Sequence, residues 1–113
     1  MPYIQIRTNK EITKEQELKI KERLGEAITI VGKSESWLMV EFVPKCNLYF
    51  KGDNSNDLAY VDVKLYGRSD ASSYNNMTKE ISNILNENLN IDPGNIYLSY
   101  AEFSNWGWNG NNF

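Results

Sequence analysis

The sequence contains no histidine. Histidine triads, zinc–histidine centres and histidine acid–base pairs are therefore excluded. Cys46 is the only cysteine, so the chain cannot close a disulfide on itself. No metal-ligand cluster appears, and neither a metal nor another cofactor is expected. Positive charge is also scarce: 12 Lys and Arg against 15 Asp and Glu leave a net charge of −3. Phosphate backbones and anionic headgroups need a basic surface, so neither nucleic acid nor membrane is expected as a partner. No apolar run reaches the length of a membrane span, and the N-terminus lacks the apolar segment of a signal peptide. The expected location is the cytoplasm, with secretion by a non-classical route as the other course. Asn76-Met77-Thr78 fits a glycosylation sequon, but without a secretory signal it reads as chance.

What is present is 113 residues, 41% hydrophobic and 24% charged. That is the profile of a single globular domain over residues 1–113 with a real core. With histidine missing, any acid–base chemistry needs another group that titrates near neutrality. Met1-Pro2 supplies a candidate. Proline at position 2 is small enough for Met1 to be trimmed, which leaves a secondary amine as the N-terminus. Tyr3 to Arg7 alternates as a strand, with Ile4 and Ile6 on one face. A strand starting at residue 2 holds that amine inside the fold. An ordinary α-amino group titrates near about 7.7–8.0, and desolvation or a nearby cation favours its neutral, basic form. The plainer reading is that proline is simply a common second residue.

Glu11 to Val31 predicts a first helix, with Thr13 and Gln16 as a capping box. Leu18, Leu24, Ala27, Ile28 and Val31 form its apolar stripe. Gly32 is its stop. Lys33 follows, either as a cation at the helix C-terminus or as one projecting beside the first strand. Trp37 to Pro44 reads as a second strand and Leu48-Tyr49-Phe50 as a short third. Gly52 to Asp57 is a polar loop. Leu58 to Tyr66 alternates as a strand that Gly67 ends. Ser72 to Asn88 predicts a second helix with Met77, Ile81, Ile84, Leu85 and Asn88 inward. Asp92-Pro93-Gly94-Asn95 is a turn, and Ile96 to Phe103 a further strand. The tail from Ser104 to Phe113 is polar and aromatic.

Strand–helix–strand thus occurs twice, as pseudo-repeats of about 1–50 and 58–105. Pro2-Tyr3-Ile4-Gln5-Ile6-Arg7 matches Ala59-Tyr60-Val61-Asp62-Val63-Lys64 in pattern. Two right-handed crossovers, each joining parallel strands, predict an α+β fold: a four-stranded mixed sheet with two helices on one face. The strands carry apolar or aromatic residues on both faces, Tyr3, Leu38, Val40, Tyr60 and Tyr100 among them. The uncovered face is therefore expected to be partly apolar and to drive oligomerisation.

A family resemblance rests on Met1-Pro2, Thr8-Asn9, Gly32-Lys33, Phe50 with Gly52, Gly67 and Pro93 with Ile96-Tyr97. It continues through the ending Trp106-Gly107-Trp108-Asn109-Gly110 with Phe113. In this order and spacing, the full chain resembles the macrophage migration inhibitory factor family of the tautomerase superfamily. The resemblance implies a homotrimer with active sites at subunit interfaces. It implies keto–enol tautomerisation of small keto acids of the phenylpyruvate type, and conversion of dopachrome-type compounds. By position, Pro2 would be the general base and Lys33 the anchor for the substrate carboxylate. Tyr97 of the neighbouring subunit would contact substrate. The main chain at Tyr66 would hydrogen-bond it, and Trp108 and Phe113 would wall the pocket.

The chain departs from the family pattern at several points. Ser99 stands where mammalian members have a substrate-contacting asparagine. Tyr66 replaces a smaller aliphatic residue and is expected to narrow the pocket or change what it accepts. Trp106 is bulkier than its mammalian counterpart, Ser34 follows Lys33 in place of proline, and Lys51 interrupts a glycine pair. Leu58-Ala59-Tyr60-Val61 stands where a Cys-x-x-Cys motif would be, which rules out thiol redox activity of that kind. The resemblance also implies an alternative, a secreted cytokine-like module that binds a host receptor, its tautomerase activity vestigial. A ferredoxin-like nucleic-acid binder would suit two strand–helix units, but the acidic balance and the missing aromatic–glycine motif argue against it.

Overall fold

The computed structural model describes residues 1–113. Strand β1 spans Pro2–Thr8 and leads to helix α1, Lys14–Ala27. A single 3-10 turn, Ile28–Val31, extends α1, and a second, Glu35–Trp37, precedes strand β2, Met39–Val43. Strand β3 is Ala59–Tyr66, helix α2 is Ala71–Leu89 and strand β4 is Ile96–Phe103. The sheet order is β2-β1-β3-β4. Each strand–helix–strand unit pairs its own strands in parallel, β1 with β2 and β3 with β4. The two units meet through the antiparallel pair β1–β3. This is the expected α+β architecture.

Alternation decides which sheet face the helices cover. Ile4, Ile6, Val61, Val63 and Leu65 are fully buried and share one cluster with Ile20, Leu24, Met77, Ile81, Ile84 and Leu85 from the helices. Thr8 is the one buried polar residue that joins this layer. Its hydroxyl donates to the Leu58 carbonyl at 2.7 Å and accepts from the Lys10 amide at 3.2 Å. A buried polar group is tolerated when its bonds are made, and here both are.

Local chemistry sets the boundaries. The capping box is present: Gln16 N–H donates to the Thr13 hydroxyl at 3.1 Å, and Thr13 N–H to the Gln16 side chain at 2.9 Å. The helix therefore starts at Lys14, after Thr13, and not at Glu11. Leu18 is half exposed, whereas Ile20 is fully buried and takes its place in the apolar stripe. Gly32 ends the 3-10 turn at φ 79°, a left-handed geometry that glycine adopts without strain. Trp37 closes a 3-10 turn and lies outside the strand.

Two expectations are corrected. Leu48-Tyr49-Phe50 forms no strand, because Lys51 and Gly52, at φ 53° and 76°, turn the chain back at once. Phe50 makes only a single bridge, to Asp53. The uncovered sheet face is partly apolar, with Tyr3, Met39, Tyr60, Tyr97 and Phe103 on it, but three residues expected there lie elsewhere. Leu38, Val40 and Tyr100 pack against the helix-covered core. The open face also carries hydrogen-bonded polar groups. Tyr3 and Gln5 both donate to Glu41, and Arg7 donates to Gln5. Tyr60 pairs with Ser99, and Lys64 with Asp62.

The Thr8 hydroxyl gives a direct test of the core. Thr8→Val keeps the shape but strands the Leu58 carbonyl. It should lower stability by about 1–3 kcal/mol in urea unfolding. A loss within the roughly 0.5 kcal/mol scatter of surface substitutions would show that the bond contributes nothing net.

Candidate active site

Three of the residues singled out in the sequence come together at one end of the sheet. Pro2 is buried at the start of β1, opposite Leu65 in the antiparallel register. Proline lacks an N–H, and the first position of a strand is where that omission costs least. The hub is the main chain of Tyr66, the last residue of β3. Its N–H donates to the Met1 carbonyl at 2.9 Å. Its carbonyl accepts from Lys33 Nζ at 2.8 Å. Gly67 follows at φ 83°, and a Cβ built there would lie 3.4 Å from Lys33 Nζ. Glycine thus suits the left-handed turn, while Lys33 Nζ leaves ordinary van der Waals room beside it.

Lys33 makes no ion pair; its hydrogen bond is to a neutral carbonyl. An ammonium without a carboxylate partner keeps its capacity to bind an anion. The same charge acts on the amine next to it. The N-terminal amine of Met1 is pushed below its ordinary value, first by burial and then by the Lys33 cation. The position preceding Pro2 therefore disfavours a protonated amine.

An aromatic wall flanks this end. The Tyr66 and Phe113 rings lie 5.4 Å apart. Phe113 stacks on Trp108 at 6.4 Å with the planes 7° apart. Trp108 meets Trp37 edge-on at 5.0 Å. Trp108 belongs to a small hairpin that the tail reading did not foresee, β5 at Gly107–Trp108 paired with β6 at Asn111–Asn112. Asn109-Gly110 turns it, with φ 52° and 82°, and Asn-Gly is a strong hairpin signal. Phe113 N–H then donates to the Trp106 carbonyl at 3.0 Å, which brings the last ring back over the site. Trp37 had no place among the sequence candidates. The signal that could have found it is an exposed tryptophan four residues after Lys33, before the strand proper.

Tyr97 and Ser99 are not brought to Pro2 within one chain. They pair with Tyr60 and Asp62 on β3, whereas Pro2 pairs with Leu65. Five and three residues of strand separate those levels, roughly 17 Å and 10 Å at about 3.3 Å per residue. Tyr97 instead packs edge-on against Phe50 at 5.0 Å and helps line an apolar cavity of ≈ 110 Å³. Ser99 Oγ lies 2.5 Å from the Tyr60 hydroxyl.

With the fold and this geometry in place, comparison with known proteins is decisive. The family model for macrophage migration inhibitory factor matches residues 1–113. The chain belongs to that family. A Xenopus laevis macrophage migration inhibitory factor is 26% identical over 115 residues, covering 100% of this chain and 99% of the relative. The crystal structure of Leishmania major MIF2 superposes with a TM-score of 0.93 at 27% identity, covering 100% and 97% of the two chains. A Toxoplasma gondii macrophage migration inhibitory factor gives 0.90 at 20% identity over 98% and 99%, a likeness of fold alone. Membership of the macrophage migration inhibitory factor family also places the chain in the tautomerase superfamily, an isomerase-type fold. No helix is long and apolar enough to cross a membrane.

The Gly67 geometry yields a prediction for this family member. Gly67→Ala should destabilise the protein by about 1–2 kcal/mol, the cost of a left-handed alanine. Differential scanning calorimetry reads the loss, and an unchanged melting temperature would show that the turn relaxes freely.

Proposed function

We propose that this protein is a keto–enol tautomerase of small keto acids, phenylpyruvate and dopachrome types included, with Pro2 as its base. The observation that carries the reading is the Tyr66 peptide unit, which holds the Met1 carbonyl on one side and the Lys33 ammonium on the other. The Met1 carbonyl stands in for an oxygen of the substrate. Trimming of Met1 would remove that carbonyl, free the Tyr66 N–H and leave Pro2 as a terminal secondary amine. The vacated space would then offer a neutral base, a backbone donor and a cation within one small region.

The chemistry follows from those parts. Lys33 takes the substrate carboxylate, and the Tyr66 N–H takes an oxygen beside it. The proline nitrogen removes a proton from the carbon next to the ketone, and electron density moves to the carbonyl oxygen. Return of that proton to oxygen completes the enol; the reverse sequence gives the ketone. No net proton, electron or atom is gained, so no cofactor is required. Burial and the Lys33 charge, which already lower the amine at Met1, would keep the proline neutral near pH 7. Trp108 and Phe113 would wall the pocket against an aromatic substrate, where ring stacking adds roughly 0.5–1.5 kcal/mol.

The same reading requires a homotrimer. Tyr97 and Ser99 reach a Pro2 only if another copy supplies them, because one chain holds them at a different level of the sheet. Sedimentation at micromolar concentration should give about three times the 13.1 kDa chain mass. A clean monomer with full activity would remove Tyr97 and Ser99 from the site.

Kinetics separate the roles of Pro2 and Lys33. Pro2→Gly leaves a primary amine that is less well placed, and turnover should fall by roughly 10²–10⁴-fold. Lys33→Ala should weaken keto-acid binding. It should also move the acidic limb of the pH–rate profile upward, since loss of the cation lets the amine protonate at higher pH. Phenylpyruvate tautomerisation, followed by ultraviolet absorbance, measures both. An unaltered rate in Pro2→Gly would end the enzyme reading and return the receptor-binding one.

A further inference from the structure

Glu102 stands on β4, one residue before its end, with an exposed side chain. One of its oxygens nevertheless gathers two donors. Oε2 accepts from the Ser69 amide at 3.1 Å and from the Tyr74 hydroxyl at 2.5 Å. The Tyr74 hydroxyl also accepts from that same amide at 3.2 Å, so the three groups close a triangle. Two residues earlier, Gly67 N–H donates to the Phe103 carbonyl at 2.9 Å. The segment from Gly67 to Asp70, which joins β3 to α2, is thereby fastened to β4 at two points.

The fastening bears on the site through one peptide unit. The Gly67 N–H and the Tyr66 carbonyl belong to the same plane. One is held by β4, and the other holds Lys33 Nζ. Glu102 keeps its charge readily. Its carboxyl is held below the usual range first by the Tyr74 hydroxyl and then by the Ser69 amide, with Arg68 and Lys33 adding. Tyr74 is pushed up to about 12, chiefly by burial and then by its bond to Glu102, so it remains a donor at neutral pH.

We propose that Glu102 is a positioning residue for Lys33. By fastening the Gly67–Asp70 segment to β4, it fixes the Tyr66–Gly67 peptide whose carbonyl aims the lysine at the substrate carboxylate. The inference rests on the tautomerase reading. It carries a signature that mere loosening of the fold lacks: the effect on KM is confined to substrates bearing a carboxylate.

The test compares Glu102→Ala and Glu102→Gln in the trimmed protein, with phenylpyruvate and its methyl ester as substrates. Glu102→Ala should raise KM for phenylpyruvate about tenfold, as expected for losing a charge-assisted hydrogen bond. Measured above the acidic limb of the pH–rate profile, where the proline is neutral in every variant, it should leave kcat and the ester kinetics near wild type. Glu102→Gln should restore KM, because both donors converge on one oxygen and an amide carbonyl supplies one. An unchanged KM in Glu102→Ala, an equal rise for the ester, or failure of glutamine to rescue would each overturn the proposal. Should Glu102→Ala not fold, Tyr74→Phe keeps the ring 4.5 Å from Tyr100 and removes only the hydroxyl. It should shift the phenylpyruvate KM in the same direction, and a wild-type KM there overturns the proposal. A wild type inactive on both substrates overturns the tautomerase reading and this one with it. An active wild type, with Pro2→Gly inactive and Glu102→Ala normal, overturns this one alone.

Discussion

The antiparallel register of β1 on β3 is the constraint on which the rest of this structure depends. It pairs Ile4 with Val63 and Ile6 with Val61, and so places both apolar rows beneath the helices. Because side chains alternate with a period of two, a slip of one residue would turn those rows outward. The same register sets Pro2 against Leu65 and the Met1 carbonyl against the Tyr66 amide. Core and candidate site are therefore one arrangement: whatever pairs the isoleucines correctly also brings the Pro2 end to the Tyr66 peptide. The two parallel pairs at the flanks are more local, since each closes within its own strand–helix–strand unit.

The fold was legible where physical chemistry is local. Alternation in Tyr3–Arg7 and Leu58–Tyr66, the Thr13–Gln16 capping box and Gly32 each specify a conformation through neighbouring residues, and each stands in the structure. Legibility failed where a partner decides. Leu48-Tyr49-Phe50 has strand composition, but β propensity is realised only against a neighbouring strand, and this chain offers it none. Residue type does not decide the face of Val40 and Tyr100; register does, setting them opposite Ile4 and Val63 on the core side. The Asn109-Gly110 hairpin was a missed local signal, hidden by the polar composition around it.

The candidate site divides in the same way. Pro2, Lys33 and Tyr66 are far apart in sequence, and the family resemblance supplied what spacing could not. The structure adds that Tyr66 contributes its peptide, with N–H and carbonyl turned to different partners. Such a main-chain contribution leaves little trace in residue identity; only the glycine at position 67, favoured by φ 83°, betrays it. The open face shows the converse. Its polar residues are ordinary types, yet Glu41 draws Tyr3 and Gln5 into a network that spans two strands.

The burial of the β1 start bears on when the protein can mature. Pro2 meets its partner Leu65 only after more than sixty further residues have been made. At about 5–20 residues per second, several seconds of synthesis separate the two. During that interval the N-terminus has no β3 to pair with and is open to an aminopeptidase. Once β3 arrives, the Met1 carbonyl is taken into the ladder and its amine is partly enclosed. Under the proposed function, trimming of Met1 would belong to the nascent chain, and a molecule that folded first would keep its Pro2 nitrogen in a peptide bond.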